Sequence, residues 1–99
     1  MQITITTKNN EQKFEDKTIV ILGTNDSCNY KLDLEYPVLI AIRYDFSLKN
    51  YIISNTLSNR KVLFCSNPLS KLELGHFNKF SFADSDEFLI IRINQRKSA

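Results

Sequence analysis

Glycine and proline are scarce in this chain: its 99 residues hold two of each, Gly23 and Gly75, Pro37 and Pro68. Phosphate-cradling loops of the P-loop or dinucleotide-binding kind need several closely spaced glycines, so the shortage excludes them. It also implies that turns are built from Asn, Asp and Ser, whose side chains bond their own backbone. There is one histidine, His76, and two cysteines, Cys28 and Cys65, at no metal-ligand spacing. Each cysteine reads as a small buried or half-buried hydrophobe, and free thiols in a reducing cytoplasm are expected. No apolar run approaches the ~18 residues of a membrane span, and MQITITTKNN lacks the apolar core of a signal peptide. Insertion of this segment into a membrane is therefore not expected. Thirteen Lys and Arg against eleven Asp and Glu leave a net charge of +2, too mild for a nucleic-acid or membrane footprint.

What is present is an ordinary globular balance, 42% hydrophobic and 24% charged, in a length that suits one domain. Apolar residues alternate or come in short runs separated by Asn/Asp/Ser clusters, which predicts an all-β chain of about ten short strands. Strands are expected at Gln2–Thr7, Gln12–Asp16, Thr18–Leu22, Asn29–Leu32, Val38–Tyr44, Lys49–Ser54, Lys61–Cys65, Lys71–Leu74, Asn78–Phe82 and Glu87–Ile93. Val38–Tyr44, the most apolar, should be central. Ser66-Asn67-Pro68 reads as a turn, and Gly75 is expected to supply a positive φ in the turn that holds His76. Residues 1–94 form the expected domain, with 95–99 a basic tail or the start of a linker. Ile19-Val20-Ile21-Leu22 and Phe88-Leu89-Ile90-Ile91 are apolar on both faces, so either both faces are covered or one meets a partner.

Little in the chain offers catalysis. His76 reads as a turn histidine rather than a general base. Asp84, Asp86 and Glu87 read as a solvated acidic turn, without the glycine and spacing of a calcium loop. No cofactor or metal site is expected, and neither is an enzyme. Aromatics such as Phe64, Phe80, Phe82 and Phe88 fall at strand periods that suit a core rather than a base-stacking surface, so nucleic acid is not an expected partner. Recognition by loops remains. Three polar loops, Thr24–Ser27, Asp33–Pro37 and Asn55–Arg60, could present it, with Arg60-Lys61 as a basic spot able to pair with a carboxylate or phosphate.

The order of these pieces resembles the forkhead-associated (FHA) domain. In Thr18–Leu32, Leu22-Gly23-Thr24 takes the place of the family's Ile-Gly-Arg, followed by Ser27-Cys28-Asn29-Tyr30. Ile40, Ile42 and Arg43-Tyr44-Asp45 look like the next strand and turn, Tyr51-Ile52-Ile53 like the one after. Leu72–Gly75 is similar to a late Leu-x-x-Gly turn, with His76 where an Asp is usual, and Phe88–Ile93 would close the domain. The resemblance implies an FHA-like sandwich of two antiparallel sheets. FHA domains read phosphothreonine through an Arg after the glycine, a Ser opening a Ser-x-x-His signature, and a later Asn-Gly. Here those places hold Thr24, Tyr36 with Leu39, and Ser58-Asn59-Arg60-Lys61. A phosphate dianion needs charge-assisted or multiple hydrogen bonds to offset its desolvation, and losing the Arg and Ser removes most of them.

The resemblance thus implies a phosphorylation-independent protein-interaction or scaffolding module, by analogy with FHA-like domains in the cytoplasmic parts of bacterial secretion machines. Its expected partner surface is Thr24, Asn25, Ser27, Tyr36, Ser58, Asn59, Arg60 and Lys61, or an exposed sheet face. Homo-oligomerisation is a further expectation. The alternative is an altered phosphopeptide reader using Thr24, Ser27, Asn59, Arg60 and Lys61. A likeness of MQITITTKNN to the opening hairpin of ubiquitin is set aside, because Thr24–Leu34 has no helical apolar stripe.

Overall fold

A computed structural model describes residues 1–57 and 59–94, and the tail 95–99 and Ser58 lie outside those residues. The described residues form eleven strands: β1 (Gln2–Thr7), β2 (Glu11–Glu15), β3 (Ile19–Gly23), β4 (Tyr30–Lys31), β5 (Leu39–Asp45), β6 (Asn50–Asn55), β7 (Val62–Phe64), β8 (Asn67–Pro68), β9 (Lys71–Glu73), β10 (Phe77–Phe82) and β11 (Phe88–Asn94). One sheet runs β2-β1-β11-β10-β7-β8 and the other β4-β3-β5-β6-β9. The expected all-β sandwich is present, and β5 is the central strand of its sheet. Both sheets are antiparallel but for β3 and β4, which pair in parallel, Leu22 with Tyr30 and Gly23 with Lys31.

Alternation decides which side chains meet between the sheets. Ile3, Ile5, Phe80, Phe82, Leu89, Ile91 and Ile93 of one sheet pack against Val20, Leu22, Ile40, Ile42, Tyr51 and Ile53 of the other. The doubly apolar runs divide as pleating demands: Val20, Leu22, Leu89 and Ile91 are buried, Ile21, Phe88 and Ile90 are half-buried, and Ile19 is exposed. Phe88 therefore departs from its expected core position. Its side chain is on the outer face of the sheet, with the Lys79 ammonium 5.7 Å from its ring centre.

Turn chemistry differs from expectation at four places. Neither glycine has a positive φ; among the described residues the left-handed positions are Asp16, Lys49, Cys65, Ser66 and Asp84. Gly75 needs no such conformation because Asn78 closes its turn, accepting from Gly75 N–H and donating to Gly75 O, both at 2.9 Å. Cys65 and Ser66 form the two-residue tip of a hairpin, so Cys65 is exposed rather than buried. Asn67-Pro68 consequently pairs with Leu63 and Phe64 as β8 instead of turning, with the proline on a sheet edge where its missing N–H does no harm. Glu87 is buried rather than solvated; its Oε1 accepts from Lys8 N–H and Phe88 N–H, which ties the β1–β2 and β10–β11 turns together. Gly23 does have a specific role: a Cβ there would stand 2.5 Å from Val38 O and 2.9 Å from Cys28 Sγ. Close backbone approach, not φ, requires this glycine.

Candidate functional site

The β3–β4, β4–β5, β6–β7 and β10–β11 connections share one end of the sandwich, here the loop end. Thr24 stitches the first two. Its N–H donates to Val38 O at 3.1 Å, and its Oγ1 accepts from Val38 N–H at 3.2 Å. Asn59 joins β6–β7 to β4–β5: its Nδ2 donates to Pro37 O at 2.9 Å, and its Oδ1 accepts from Lys61 N–H at 3.3 Å. The Asn55 Nδ2 donates to Asn59 O at 3.1 Å, and Thr56 Oγ1 donates to Leu39 O at 2.9 Å. Tyr36 bridges to β10–β11 by donating from its hydroxyl to Ala83 O at 2.6 Å. The Lys61 ammonium lies 5.3 Å from the Tyr36 ring centre, and Ala83 N–H donates to Lys61 O. Thr24, Tyr36, Asn59 and Lys61 are thereby brought together. Asn25 and Ser27 share an exposed turn in which Asn25 Oδ1 accepts from Ser27 N–H, and Arg60 is exposed in the β6–β7 loop.

Beside this cluster runs an open groove of about 430 Å³ lined by Asp33, Leu34, Glu35, Tyr36, Asp84, Ser85 and Asp86. Four of those side chains are carboxylates. Burial, with the nearby Asp84 charge adding to it, pushes the Tyr36 phenol above its usual range. Lys8 pairs with Asp86, and that hydrogen bond holds the Asp86 carboxyl below its usual range. Reading along the chain misses this groove, because Asp33–Pro37 and Asp84–Asp86 look like two separate polar loops. The only signal is that both are acidic, and topology alone puts them side by side. His76 sits at the other end, exposed, with Nδ1 3.2 Å from Ile93 O.

No family model matches the chain, and no curated protein matches it in sequence. Solved structures do match. The FHA-1 domain of Mycobacterium tuberculosis Rv1747 superposes with a TM-score of 0.76 at 11% identity, covering 95% of this chain and 97% of that one. The chain has the forkhead-associated fold. A second structure, the Rv0020c FHA domain, superposes with a TM-score of 0.67 at 12% identity, covering 92% of this chain and 91% of that one. At such identities the likeness is one of fold.

Within the forkhead-associated fold, Thr24, Tyr36 and Asn59, expected from the sequence at the family's phosphate-reading places, are held by the domain itself. The Thr24 hydroxyl accepts from backbone. Tyr36 has its one donor on Ala83 O, and Asn59 has both ends of its amide on neighbouring backbone. Leu39, expected at the place of the family's His, offers no polar side-chain atom, and its carbonyl accepts from Thr56.

Proposed function

We propose that this chain is a non-catalytic protein-interaction module that docks a partner at its loop end without reading phosphothreonine. One observation carries the reading: Thr24, Tyr36 and Asn59 direct their polar atoms at Val38, Ala83, Pro37 and Lys61. The Tyr36 hydroxyl hydrogen and one Asn59 amide hydrogen are already committed to Ala83 O and Pro37 O, so these three side chains would leave a phosphate only the Thr24 hydroxyl hydrogen and the second Asn59 amide hydrogen, too few to offset its desolvation. Asp33, Glu35 and Asp84 of the adjacent groove would repel a dianion further. Arg60 and Lys61 lie in the β6–β7 connection, and the Lys61 ammonium is already over Tyr36. Loops held by such cross-links form a rigid, pre-organised surface, which lowers the ordering cost of binding a protein. Use of the fold as an assembly part of a larger machine, of the secretion type, belongs to the same reading by analogy.

Fluorescence anisotropy with a phosphothreonine peptide library tests it. The expected result is no phosphate-dependent binding up to millimolar peptide. Phosphate-dependent binding that disappears in Arg60→Ala would establish the altered phosphopeptide reader instead.

A further inference from the structure

Two open sheets leave four edges, β2 and β8 on one sheet and β4 and β9 on the other. An edge strand presents N–H and C=O groups that a further strand can take up. β4 and β8 have two residues each, and β8 carries Pro68, so neither offers a ladder. β2 is longer, but its charges oppose pairing with itself. Asp16 N–H donates to Met1 O and Thr7 N–H to Asn10 O, both at 2.9 Å. The even-numbered residues of β2 thus bond β1, and the backbone groups of Glu11, Lys13 and Glu15 turn outward. Two copies of β2 aligned antiparallel along their full length would set Lys13 against its own counterpart and Glu11 against Glu15. Like charges directly opposite repel.

The charges of β9 have the reverse consequence. Asn55 N–H donates to Ser70 O at 2.9 Å and Leu74 N–H to Tyr51 O at 3.0 Å, with Leu72 opposite Ile53 between them. Ser70, Leu72 and Leu74 therefore bond β6, and Lys71 and Glu73 turn their N–H and C=O groups to the open edge. Lys71 and Glu73 are exposed on the outer face, while Leu72 is half-buried against the core. Ile52 and Ser54, beside them on β6, carry no charge, and Arg43 and Asp45, one strand further in, are opposite in sign. Turned antiparallel on itself about Leu72, Lys71-Leu72-Glu73 sets each lysine opposite a glutamate and Leu72 opposite its counterpart. Each lysine–glutamate pair can then exchange both of its backbone N–H···O bonds. The two leucines meet on the inner side and the charges on the outer. Glu73 also accepts from Asn50 Nδ2 at 2.9 Å, which holds the carboxylate beside the edge and leaves it charged.

We infer that β9 is a self-association edge, at which a second copy of this chain pairs antiparallel and joins the two five-stranded sheets about a two-fold axis at Leu72. A contact of this isologous kind closes after two copies. β2 also complements β9 of another copy, with Lys13 facing Glu73, Phe14 facing Leu72 and Glu15 facing Lys71. That contact is heterologous and runs on into a ring or an open filament, whereas closed two-fold pairs are the common form for soluble chains. The joint is short, so the dimer is reversible and depends on concentration. β9 shares no residue with Thr24, Tyr36, Asn59 and Lys61 at the loops, so this inference and loop-end docking can fail independently.

Sedimentation equilibrium of the chain between about 10 μM and about 1 mM tests it. A monomer–dimer equilibrium is expected. Lys71→Glu places like charges opposite each other twice in the joint and should weaken the dimer at least ~tenfold. The swap Lys71→Glu/Glu73→Lys restores opposite charges and should return the affinity to within about threefold of the parent. The same swap would put like charges against Lys13 and Glu15, so it would leave a β2–β9 contact broken. Both side chains are exposed, so the variants should fold, and circular dichroism checks that. A monomer at every concentration overturns the inference. So does a dimer that Lys71→Glu leaves intact, a folded swap variant that fails to associate, or growth beyond two copies.

Discussion

At the loop end, polar side chains bond to the chain's own backbone and carboxylates face solvent; at the opposite end, the apolar side chains of Ile19, Phe46, Leu48 and Phe77 face solvent. The seven residues of β5, roughly 20 Å of extended chain, separate Val38, which Thr24 clasps, from Phe46, which nothing covers. One strand thus delivers two surfaces of different chemistry, and the central sheets need not change for either to vary. Each end also has its own locked asparagine and its own hydrogen-bonded phenol: Asn59 and Tyr36 at the loops, Asn78 and Tyr51 at the far end. That pairing lets the contrast be tested residue by residue.

The largest effect should come from Gly23→Ala. The new Cβ would meet Val38 O at 2.5 Å, exactly where β3 hands over to the loop end, and backbone cannot yield as a side chain can. A loss of about 3 kcal/mol is expected, seen as a fall in Tm of more than about 10 °C in thermal unfolding. An unchanged Tm would mean that the loop end is not tightly clasped at all.

Next come the two amides. Asn78 is 5% exposed and bonds Gly75 N–H, Gly75 O and Ile91 O, so Asn78→Ala leaves buried groups unpaired and should cost about 2–3 kcal/mol. Asn59 is only half-buried and water can replace it, so Asn59→Ala should cost about 1 kcal/mol. Urea denaturation of both variants measures the difference, and equal losses would erase this part of the contrast.

A smaller effect concerns alkaline pH. Burial raises both the Tyr36 and Tyr51 phenols, with Asp84 adding to the first and Asp16 and then Tyr44 to the second. A raised phenol favours the folded state while neutral. Its contribution is full below the ordinary tyrosine value of about 10 and is lost as pH rises through the higher folded value. The urea midpoint should therefore fall above about pH 10, less steeply in Tyr36→Phe, with the Tyr51 share remaining at the other end. Smallest of all, Phe46→Ser should change stability by less than about 0.5 kcal/mol, because the ring is mostly in water already. A larger loss would make Phe46 part of the core rather than a free tip.

The sheets were legible in the sequence because alternation and β-branched runs are local signals. Ile3 and Ile5, Val20 and Leu22, Leu89 and Ile91 all turn inward as the period of two requires. The turns were less legible. Lys49 and Cys65 occupy left-handed positions that propensity assigns to Gly, Asn or Asp, and the Gly75 turn is shaped by Asn78, three residues on. Of the loop residues, Thr24, Tyr36, Asn59 and Lys61 do converge, but their bonds to Val38, Ala83 and Pro37 depend on contacts between loops far apart in the chain. The acidic groove and the apolar tip are both products of topology: neither Asp33 with Asp84 nor Ile19 with Phe46 is close in sequence. The scarcity of glycine is explained in part, since Gly23 is needed for close approach and the left-handed turns manage without.

The most direct test of the loop end is NMR amide-shift mapping with one peptide in its phosphothreonine and plain threonine forms. The two forms should give the same shifts at the Thr24, Asn59 and Arg60 amides. Shifts at those amides that appear only with the phosphate would contradict the account, because they would show the loop end in phosphate-dependent contact with the peptide.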